Sequence, residues 1–195
     1  MRKLAWLVPL CGFILCGLVQ GFGTGSPPRL DRAWKKYRNA QWSYCVSYPS
    51  RWVKGDAFEG AGLFVETGTK KFSKPLGEID IAALAPEQAV RAEVINLKQD
   101  VEAHFDGLKR FERAEQVEML EQHELRFQGY AAVFAKDRYY DPQERATWLE
   151  ELVLVNRKDS LFRLELECRA DQATRFEPVF SRVMDTFRFD CAAEQ

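Results

Sequence analysis

Three runs rich in apolar residues, at 127–136, 147–156 and 161–168, constrain the fold more than any other feature of the sequence, and each predicts a strand. Successive side chains of a strand point to opposite faces of a sheet, and the alternation in 161–168 places Phe162, Leu164, Leu166 and Cys168 on one apolar face. The segments between the runs, 141–144 and 157–160, consist of polar residues that favour turns. Consecutive strands joined by short turns pair antiparallel, and this part of the chain is therefore predicted to form an antiparallel sheet.

Further strands are predicted at 42–48, 63–67 and 78–84 from the same alternation. A long helix is predicted from Pro86, because apolar residues recur with helical spacing after it. The pair Asp106-Gly107 is expected to end this helix. Residues 111–126 carry glutamates at irregular intervals, and we interpret them as an irregular pair of strands.

A second helix is predicted to begin close to residue 175. Thr174 and Glu177 have the spacing of a capping box, and Pro178 is expected in the first helical turn, where its missing N–H is tolerated. The apolar residues of its predicted buried face are Phe176, Phe180, Val183, Met184 and Phe187. These elements predict an α+β fold in which helices flank an antiparallel sheet.

The N-terminal residues have the composition of an export signal. Arg2 and Lys3 precede an apolar stretch over 4–19, and a run of small residues follows at 21–26. This pattern predicts a signal peptide over residues 1–23, cleaved before Thr24. The Gly, Ser and Pro residues of 24–33 predict a flexible tether, and residues 34–195 are predicted to form one domain.

Cys11 and Cys16 raise the alternative of a lipid anchor within the signal, but each follows a leucine where a lipoprotein signal requires a small residue. We therefore expect an exported protein, periplasmic or secreted, with no membrane span after cleavage. The chain has 28 Lys and Arg, of which Arg2 and Lys3 leave with the signal, so 26 remain against 29 Asp and Glu. This balance is not that of a nucleic-acid-binding protein.

Two end motifs carry a resemblance to a known family. The first is Tyr48-Pro49-Ser50-Arg51-Trp52, and the second runs from Phe176 to Thr186-Phe187-Arg188-Phe189. In these motifs and the spacing between them, residues 40–190 resemble the PsbP-like superfamily, which includes exported bacterial DcrB-like proteins. The resemblance implies an α/β/α sandwich in which Trp52 and Phe187 fill the core. Known members of the superfamily include a photosystem extrinsic subunit and a nuclear GTPase-binding factor. The resemblance therefore implies an accessory or binding role, and it supplies no catalytic residue.

Three cysteines remain after signal cleavage, Cys45, Cys168 and Cys191, and export exposes them to an oxidising compartment. Three single bridges are possible. Alternation places Cys168 among the apolar side chains of its strand, whereas Cys45 alternates with serines and Cys191 follows the last core residues. We therefore predict a disulfide between Cys45 and Cys191 and a core thiol at Cys168.

The mature chain offers few residues for nucleophilic catalysis, since it contains only His104 and His123 and no G-x-S-x-G motif. His104 is interpreted as a structural imidazole on the buried edge of the first helix. His123-Glu124 lacks the second histidine of H-E-x-x-H, and at most a weak metal site is conceivable there. No catalytic residue, metal site or cofactor is predicted, and a hydrolase is disfavoured.

Two further sets of residues were candidates for a site. Glu150-Glu151, and Glu165 with Glu167, could pair carboxyls, but they alternate with apolar residues and are interpreted as a solvated strand face. Tyr139 and Tyr140, beside a predicted hairpin turn, are interpreted as a possible interaction surface.

These observations predict an exported, non-enzymatic accessory or binding protein of the cell envelope. Its partner would be another protein or an envelope component, contacted through sheet edges and loops. The alternative is a small-ligand-binding protein with a pocket between helix and sheet.

Overall fold

A computed structural model describes residues 33–55, 62–65, 75–84, 96–111, 114–157 and 160–191. The described residues do not include residues 1–32, which contain the predicted signal peptide. They also do not include the predicted helix start at Pro86. Within the described residues, no helix is both long enough and apolar enough to cross a bilayer.

The described residues form ten strands and two α-helices, and a 3-10 turn at Ala170–Gln172 leads into the second helix. The elements are β1 (Trp34–Asn39), β2 (Tyr44–Pro49), β3 (Val53–Gly55), β4 (Gly62–Val65), β5 (Gly77–Leu84), α1 (Leu97–Phe111), β6 (Glu115–Phe127), β7 (Tyr130–Asp141), β8 (Ala146–Arg157), β9 (Ser160–Arg169), α2 (Ala173–Thr186) and β10 (Arg188–Phe189). This is the α+β fold class that the sequence predicts.

Two antiparallel sheets carry the architecture. The larger has seven strands in the order β3-β4-β5-β9-β8-β7-β6, and the smaller has the order β1-β2-β10. Helix α2 and the small sheet pack on one face of the large sheet, and α1 packs on the other face over β6, β7 and β8. The large sheet is therefore covered on both sides.

The core has two parts, one on each face of the large sheet. The larger part contains Trp52 and Phe187, as the family resemblance implies, and it is rich in aromatic contacts. The smaller part lies under α1, where the buried stripe of the helix meets β7 and β8. The helix residues of that stripe are Leu97, Val101, Phe105 and Leu108.

A disulfide joins Cys45 of β2 to Cys191, which follows β10, with 5.9 Å between their Cα atoms. Strand β10 pairs with β2, and Arg188 lies opposite Cys45 in the register. This pairing brings the C-terminal end of the domain against its second strand. Cys168 is a buried free thiol, as its place in the strand alternation predicts.

Three local predictions are wrong. Asp106-Gly107 does not end α1, which continues to Phe111, because Leu108 is buried against the sheet. Burying a leucine contributes roughly 1.5–3 kcal/mol, which outweighs the cost of about 1 kcal/mol for a glycine inside a helix. Residues 111–126 are not a strand pair: Glu115–Phe127 is one long strand with two register shifts against β7. Each shift breaks the period of two, so the alternation is lost locally.

The start of α2 also differs from the prediction. The helix begins at Ala173, and Pro178 is its sixth residue instead of lying in the first turn. Gln172 is the N-cap and makes no side-chain capping hydrogen bond, so the predicted capping box of Thr174 and Glu177 is not formed. The 3-10 turn that precedes α2 supplies the entry to the helix instead.

Candidate functional site

Four acidic side chains lie together on the face of the large sheet that α1 covers. Asp137 of β7 pairs in register with Glu150 of β8, and Glu150 pairs with Glu167 of β9. Directly paired residues place their side chains on the same face with Cβ atoms about 5 Å apart. Glu165, two residues before Glu167, shares that face. We call Asp137, Glu150, Glu165 and Glu167 the acidic cluster.

The acidic cluster is removed from solvent by the helix above it and by the neighbouring strands. Asp137 and Glu150 are each 1% exposed and Glu167 is 8% exposed. The side chain of Glu165 is 14% exposed. The interpretation of Glu165 and Glu167 as a solvated strand face is therefore wrong, because α1 lies across the sheet and covers the polar positions of the strands.

His104 enters the acidic cluster from α1. Its Nε2 forms a hydrogen bond with Oε1 of Glu150, and the two atoms are 2.5 Å apart. One turn earlier and one residue later on the helix, Val101 and Phe105 are buried against the sheet, so their packing fixes the height and rotation of the imidazole. His104 thus has the hydrogen-bonded, partly buried setting of a structural histidine, although its partner is a carboxylate within a larger acidic group.

Two other groups bind members of the cluster. The hydroxyl of Tyr139 donates a hydrogen bond to Oε1 of Glu167. The guanidinium of Arg163 lies with Nε 3.1 Å from Oε2 of Glu165, and its Nη2 lies 3.2 Å from Oδ2 of Asp80 on β5. The positive charge of Arg163 therefore compensates the negative charge of the acidic cluster at Glu165 on β9, two strands away from Asp137 on β7.

Asp137 is the exception within the cluster. Neither of its carboxyl oxygens has a hydrogen-bond partner among the described residues, although the side chain is buried. Its carboxyl interacts electrostatically with His104 and with Glu167, so it faces the interior of the cluster. A buried carboxyl without hydrogen bonds costs several kcal/mol when ionised, which makes this position a candidate for ligand contact.

Burial changes the protonation of the cluster. It raises the pKa of the Glu165 carboxyl to about 8, with the charge of Glu150 adding to the shift and that of Arg163 opposing it. Burial also raises the pKa of Asp137 to about 7, against the effect of His104 and with that of Glu167. The pKa of Asp80 is raised by burial as well, and Arg163 opposes this shift. Near neutral pH, the cluster therefore holds protons in place of some of its negative charges.

A cleft of about 410 Å³ lies between α1 and the sheet and adjoins the acidic cluster through His104 and Arg163. Its walls combine aliphatic side chains with four ionisable groups. The lining residues are Asp80, Ala82, Leu84, Asp100, Ala103, His104, Leu152, Leu154, Leu161 and Arg163. This volume lies in the range of small-molecule sites, and polar groups at one end of an apolar cleft can orient a ligand.

The residues predicted as an interaction surface have different environments. Tyr139 is 1% exposed, because it points under α1 to Glu167, and it is therefore not available to a partner. Tyr140 is half-buried on the opposite face of the same strand. His123 lies on the edge strand β6 with Nδ1 3.1 Å from Oε1 of Glu121. It takes no part in the group of His104, Glu150 and Glu165.

The acidic cluster was missed although the sequence contains a signal for it. The two predicted hairpin turns, at 141–144 and 157–160, determine which residues of the three strands face each other. A turn at 157–160 pairs Glu150 with Glu167, as observed, whereas a turn at 141–144 would pair Asp137 with Trp148, two residues from its observed partner Glu150 and on the same face. Hairpin register therefore indicates that these carboxyls share a face, and the exact row depends on the observed turn, in which Asp141 lies opposite Ala146.

No protein-family model matches the chain, and no curated protein matches it. Solved structures do. The solution structure of the cyanobacterial PsbP protein CyanoP, from Synechocystis sp. PCC 6803, superimposes with a TM-score of 0.60 at 13% sequence identity. The match covers 93% of this chain and 98% of that one. The chain has a PsbP-like fold.

Other structures share the PsbP-like fold at similar distance. PA94 of Pseudomonas aeruginosa, described as a protein of unknown function, matches with a TM-score of 0.50 and 12% identity over 83% of this chain and 97% of its own. A protein of Bacteroides thetaiotaomicron matches with a TM-score of 0.51 and 14% identity over 82% of this chain and 49% of its own. At these identities the PsbP-like likeness shows the fold, and the function has to be argued from the site.

Proposed function

We propose that this chain is an exported, non-enzymatic binding protein of the cell envelope, and that its ligand site is the cleft between α1 and the large sheet. The observation that carries the proposal is the cleft itself, whose lining combines aliphatic side chains with Asp80, Asp100, His104 and Arg163. This choice favours the alternative that the sequence analysis left open, a pocket between helix and sheet, over a partner protein at the sheet edges.

The charges around the cleft indicate the class of ligand. Asp80 and Asp100 line it, and Glu150 and Glu165 lie behind His104 and Arg163. The lining itself thus holds two carboxyls, those of Asp80 and Asp100, against the single guanidinium of Arg163, which favours a ligand with a cationic group. The aliphatic lining, from Leu84, Leu152 and Leu161 among others, suits a short apolar portion. A small organic amine combines these two properties.

The hydrogen bonding of His104 supports a binding function without catalysis. Its Nε2 is hydrogen-bonded to the carboxyl of Glu150 and not to a hydroxyl or thiol that it could activate. The only free thiol among the described cysteines, Cys168, is buried on the opposite face of the sheet. Burial raises the pKa of this thiol to about 12, so it remains protonated and a poor nucleophile.

Export is supported by two independent features. The N-terminal residues have the composition of a signal peptide. The Cys45–Cys191 disulfide is of the kind that persists in an oxidising compartment and is rare in a reducing cytoplasm.

A second candidate function is contact with an envelope protein, and one observation favours it. Met119 and Leu120, consecutive residues of β6, are 40% and 43% exposed on an edge strand of the large sheet. The same strand carries register shifts and several glutamates, which hinder the addition of a further strand. A partner would therefore contact the Met119 and Leu120 side chains and would not extend the sheet.

Thermal-shift screening with small amines and amino acids tests the main proposal. We expect at least one compound to raise the Tm of the purified exported protein in proportion to its concentration. Ala103→Trp should abolish this effect, because Ala103 is exposed on α1 and lines the cleft. Gln99→Trp adds the same ring at an exposed position of α1 that does not line the cleft, and it should leave binding unchanged.

Equal binding by both tryptophan variants would refute the cleft as the site. If no small molecule binds, and a crosslinker placed at Leu120 captures the same envelope protein that Leu120→Glu fails to retain, the second candidate is correct.

A further inference from the structure

The acidic cluster and His104 together have the composition of a metal site. We infer that His104, Glu150, Glu165 and Asp137 bind one divalent transition-metal ion between α1 and strands β7, β8 and β9. This inference rests on the proposed function, because His104, one of the proposed metal ligands, also lines the cleft.

The first support is the proximity of the donor atoms. One ligand atom each from His104, Glu150 and Glu165 lie within 4.8 Å of one another. In a tetrahedral site with bonds of about 2.0–2.1 Å, donor atoms are roughly 3.3 Å apart. The His104 Nε2 and Glu150 Oε1 atoms, now 2.5 Å apart, would separate slightly as the ion replaces the proton between them.

The second support is Asp137. Its buried carboxyl lacks a hydrogen-bond partner among the described residues and lies opposite Glu150 in the strand register. Such a group needs compensation, and a bound cation supplies it more fully than a neutral hydrogen-bond donor does. Asp137 lies outside the group of three whose ligand atoms are within 4.8 Å of one another, and by turning its side chain towards them it would supply a third carboxylate donor, making the four donors of a closed site.

The surroundings hold one donor, Glu165, and its neighbour Glu167 in place. The hydroxyl of Tyr139 donates a hydrogen bond to Glu167, which lies next to Glu150 in the strand register. The guanidinium of Arg163 binds Glu165 through Oε2, which orients the remaining oxygen. Such outer contacts fix the direction of ligating carboxylates and strengthen metal binding.

The donor set indicates the kind of metal. Imidazole nitrogen suits zinc, cobalt and other transition metals, whereas calcium and magnesium prefer sites built from oxygen alone. The partial burial of the donors favours a site with few water ligands. We therefore expect Zn²⁺ and Co²⁺ to bind and Mg²⁺ to bind far more weakly.

The first experiment uses the unmodified protein and needs no variant to fold. The chain has two histidines, so imidazole NMR signals can be assigned simply. On titration with Zn²⁺ alone, after EDTA and dialysis, the signals of His104 should shift and saturate at one ion per chain. His123, which lies in a surface pair with Glu121, serves as the internal control. Shifts at His123 alone, or at neither histidine, would overturn the inference.

The second experiment measures affinity in matched variants by Co²⁺ absorption and Zn²⁺ competition. Glu165→Gln and Asp137→Asn keep shape and remove a ligating charge, and each should weaken binding at least about tenfold. Glu151→Gln is the control: Glu151 follows Glu150 on β8 but points to the other face, where it pairs with Lys136 at 2.9 Å. Unchanged affinity in the first two variants, or equal loss in Glu151→Gln, would contradict the proposed site.

The outcomes separate this inference from the proposed function. If Zn²⁺ fails to bind while a small amine binds and Ala103→Trp blocks it, only the metal site is wrong. If Zn²⁺ binds at His104 while no small molecule stabilises the protein, the metal site stands and the organic ligand is wrong.

Discussion

Phe180 lies in the middle of the buried face of α2, and its side chain is 2% exposed. It belongs to the larger part of the core, between the helix and the large sheet. Replacing it with alanine removes most of a ring and leaves a cavity that the surrounding side chains fill only in part. We expect Phe180→Ala to lower the free energy of unfolding by about 3–5 kcal/mol in urea titrations.

Ser181→Ala is the control for that change, because Ser181 is the next residue of α2 and is exposed. Its effect should be within about 0.5 kcal/mol of zero. A loss below about 1 kcal/mol in Phe180→Ala would show that this face of α2 is not packed as the structure has it.

Gly77, at the start of β5, is a position where only the absence of a side chain allows the observed packing. A Cβ atom added there would lie 2.7–2.8 Å from three ring atoms of Phe176. Phe176 is itself buried at the start of α2, so the ring cannot move away freely. We expect Gly77→Ala to destabilise the domain by about 1–3 kcal/mol in the same titrations.

The double variant Gly77→Ala/Phe176→Leu tests this explanation. Leucine removes the ring atoms that the new methyl group meets, so the combined loss should be smaller than the two single losses together. Strict additivity would mean that the ring contact is not the cause.

At the scale of elements, strands β7, β8 and β9 share a row of buried carboxyls, and this row makes stability depend on pH. The pKa of Glu165 in the folded protein, about 8, lies above the value near 4.3 expected in the unfolded chain. Between these two values the folded state binds the additional proton. Stability should therefore be greatest near the lower value and should fall as the pH rises towards 8.

We expect the free energy of unfolding, measured in urea with EDTA present, to decrease between pH 5 and pH 8. Glu165→Gln should reduce this slope, since the variant removes the titrating group. Glu144→Gln, at an exposed turn position, should leave the slope unchanged. A stability that is constant or rising over this interval would show that these carboxyls are hydrated or already compensated.

At the scale of the whole molecule, the Cys45–Cys191 disulfide closes a loop with a sequence separation of 146 residues. A bridge over such a loop restricts the unfolded chain strongly, by about 4–5 kcal/mol in the simplest entropic treatment. We expect reduction to lower the free energy of unfolding by up to that amount. The variant with both Cys45→Ser and Cys191→Ser should not respond to reductant.

Non-reducing peptide mapping checks the pairing directly. The linked peptides should carry Cys45 and Cys191, and Cys168 should be alkylated only after denaturation because it is buried. A bridge to Cys168 would exclude the arrangement in which β10 pairs with β2.

The proposed export is tested on the full chain, which carries the predicted signal peptide. A C-terminally tagged protein should be found outside the cytoplasm, and removal of about 23 residues should make it roughly 2.5 kDa lighter than translated. Mass spectrometry of the exported form should place its first residue near Thr24. Retention at full mass in the inner membrane would indicate an uncleaved anchor instead.

Much of this fold follows from local patterns in the sequence. Runs of apolar residues at 127–136, 147–156 and 161–168 define three strands, because the large sheet is buried between α2 with the small sheet on one side and α1 on the other. The spacing of Phe176, Phe180 and Val183 defines the buried side of α2. The same reasoning pairs Cys45 with Cys191, since it separates a core thiol from two at the edge of the core. The cost of exposing apolar side chains acts on each element separately and leaves its period in the sequence.

Other features depend on contacts between distant parts of the chain. Strands β1, β3 and β10 are too short or too polar to show a pattern, and they exist because of pairing with β2 and β4. The acidic cluster shows the point most clearly: charged residues alternating along β9 have the pattern of a solvated face. Helix α1, which is more than fifty residues away in sequence, covers that face and buries them. A periodic pattern identifies the faces of a strand, but the layer that packs on each face is decided only when the whole chain has folded.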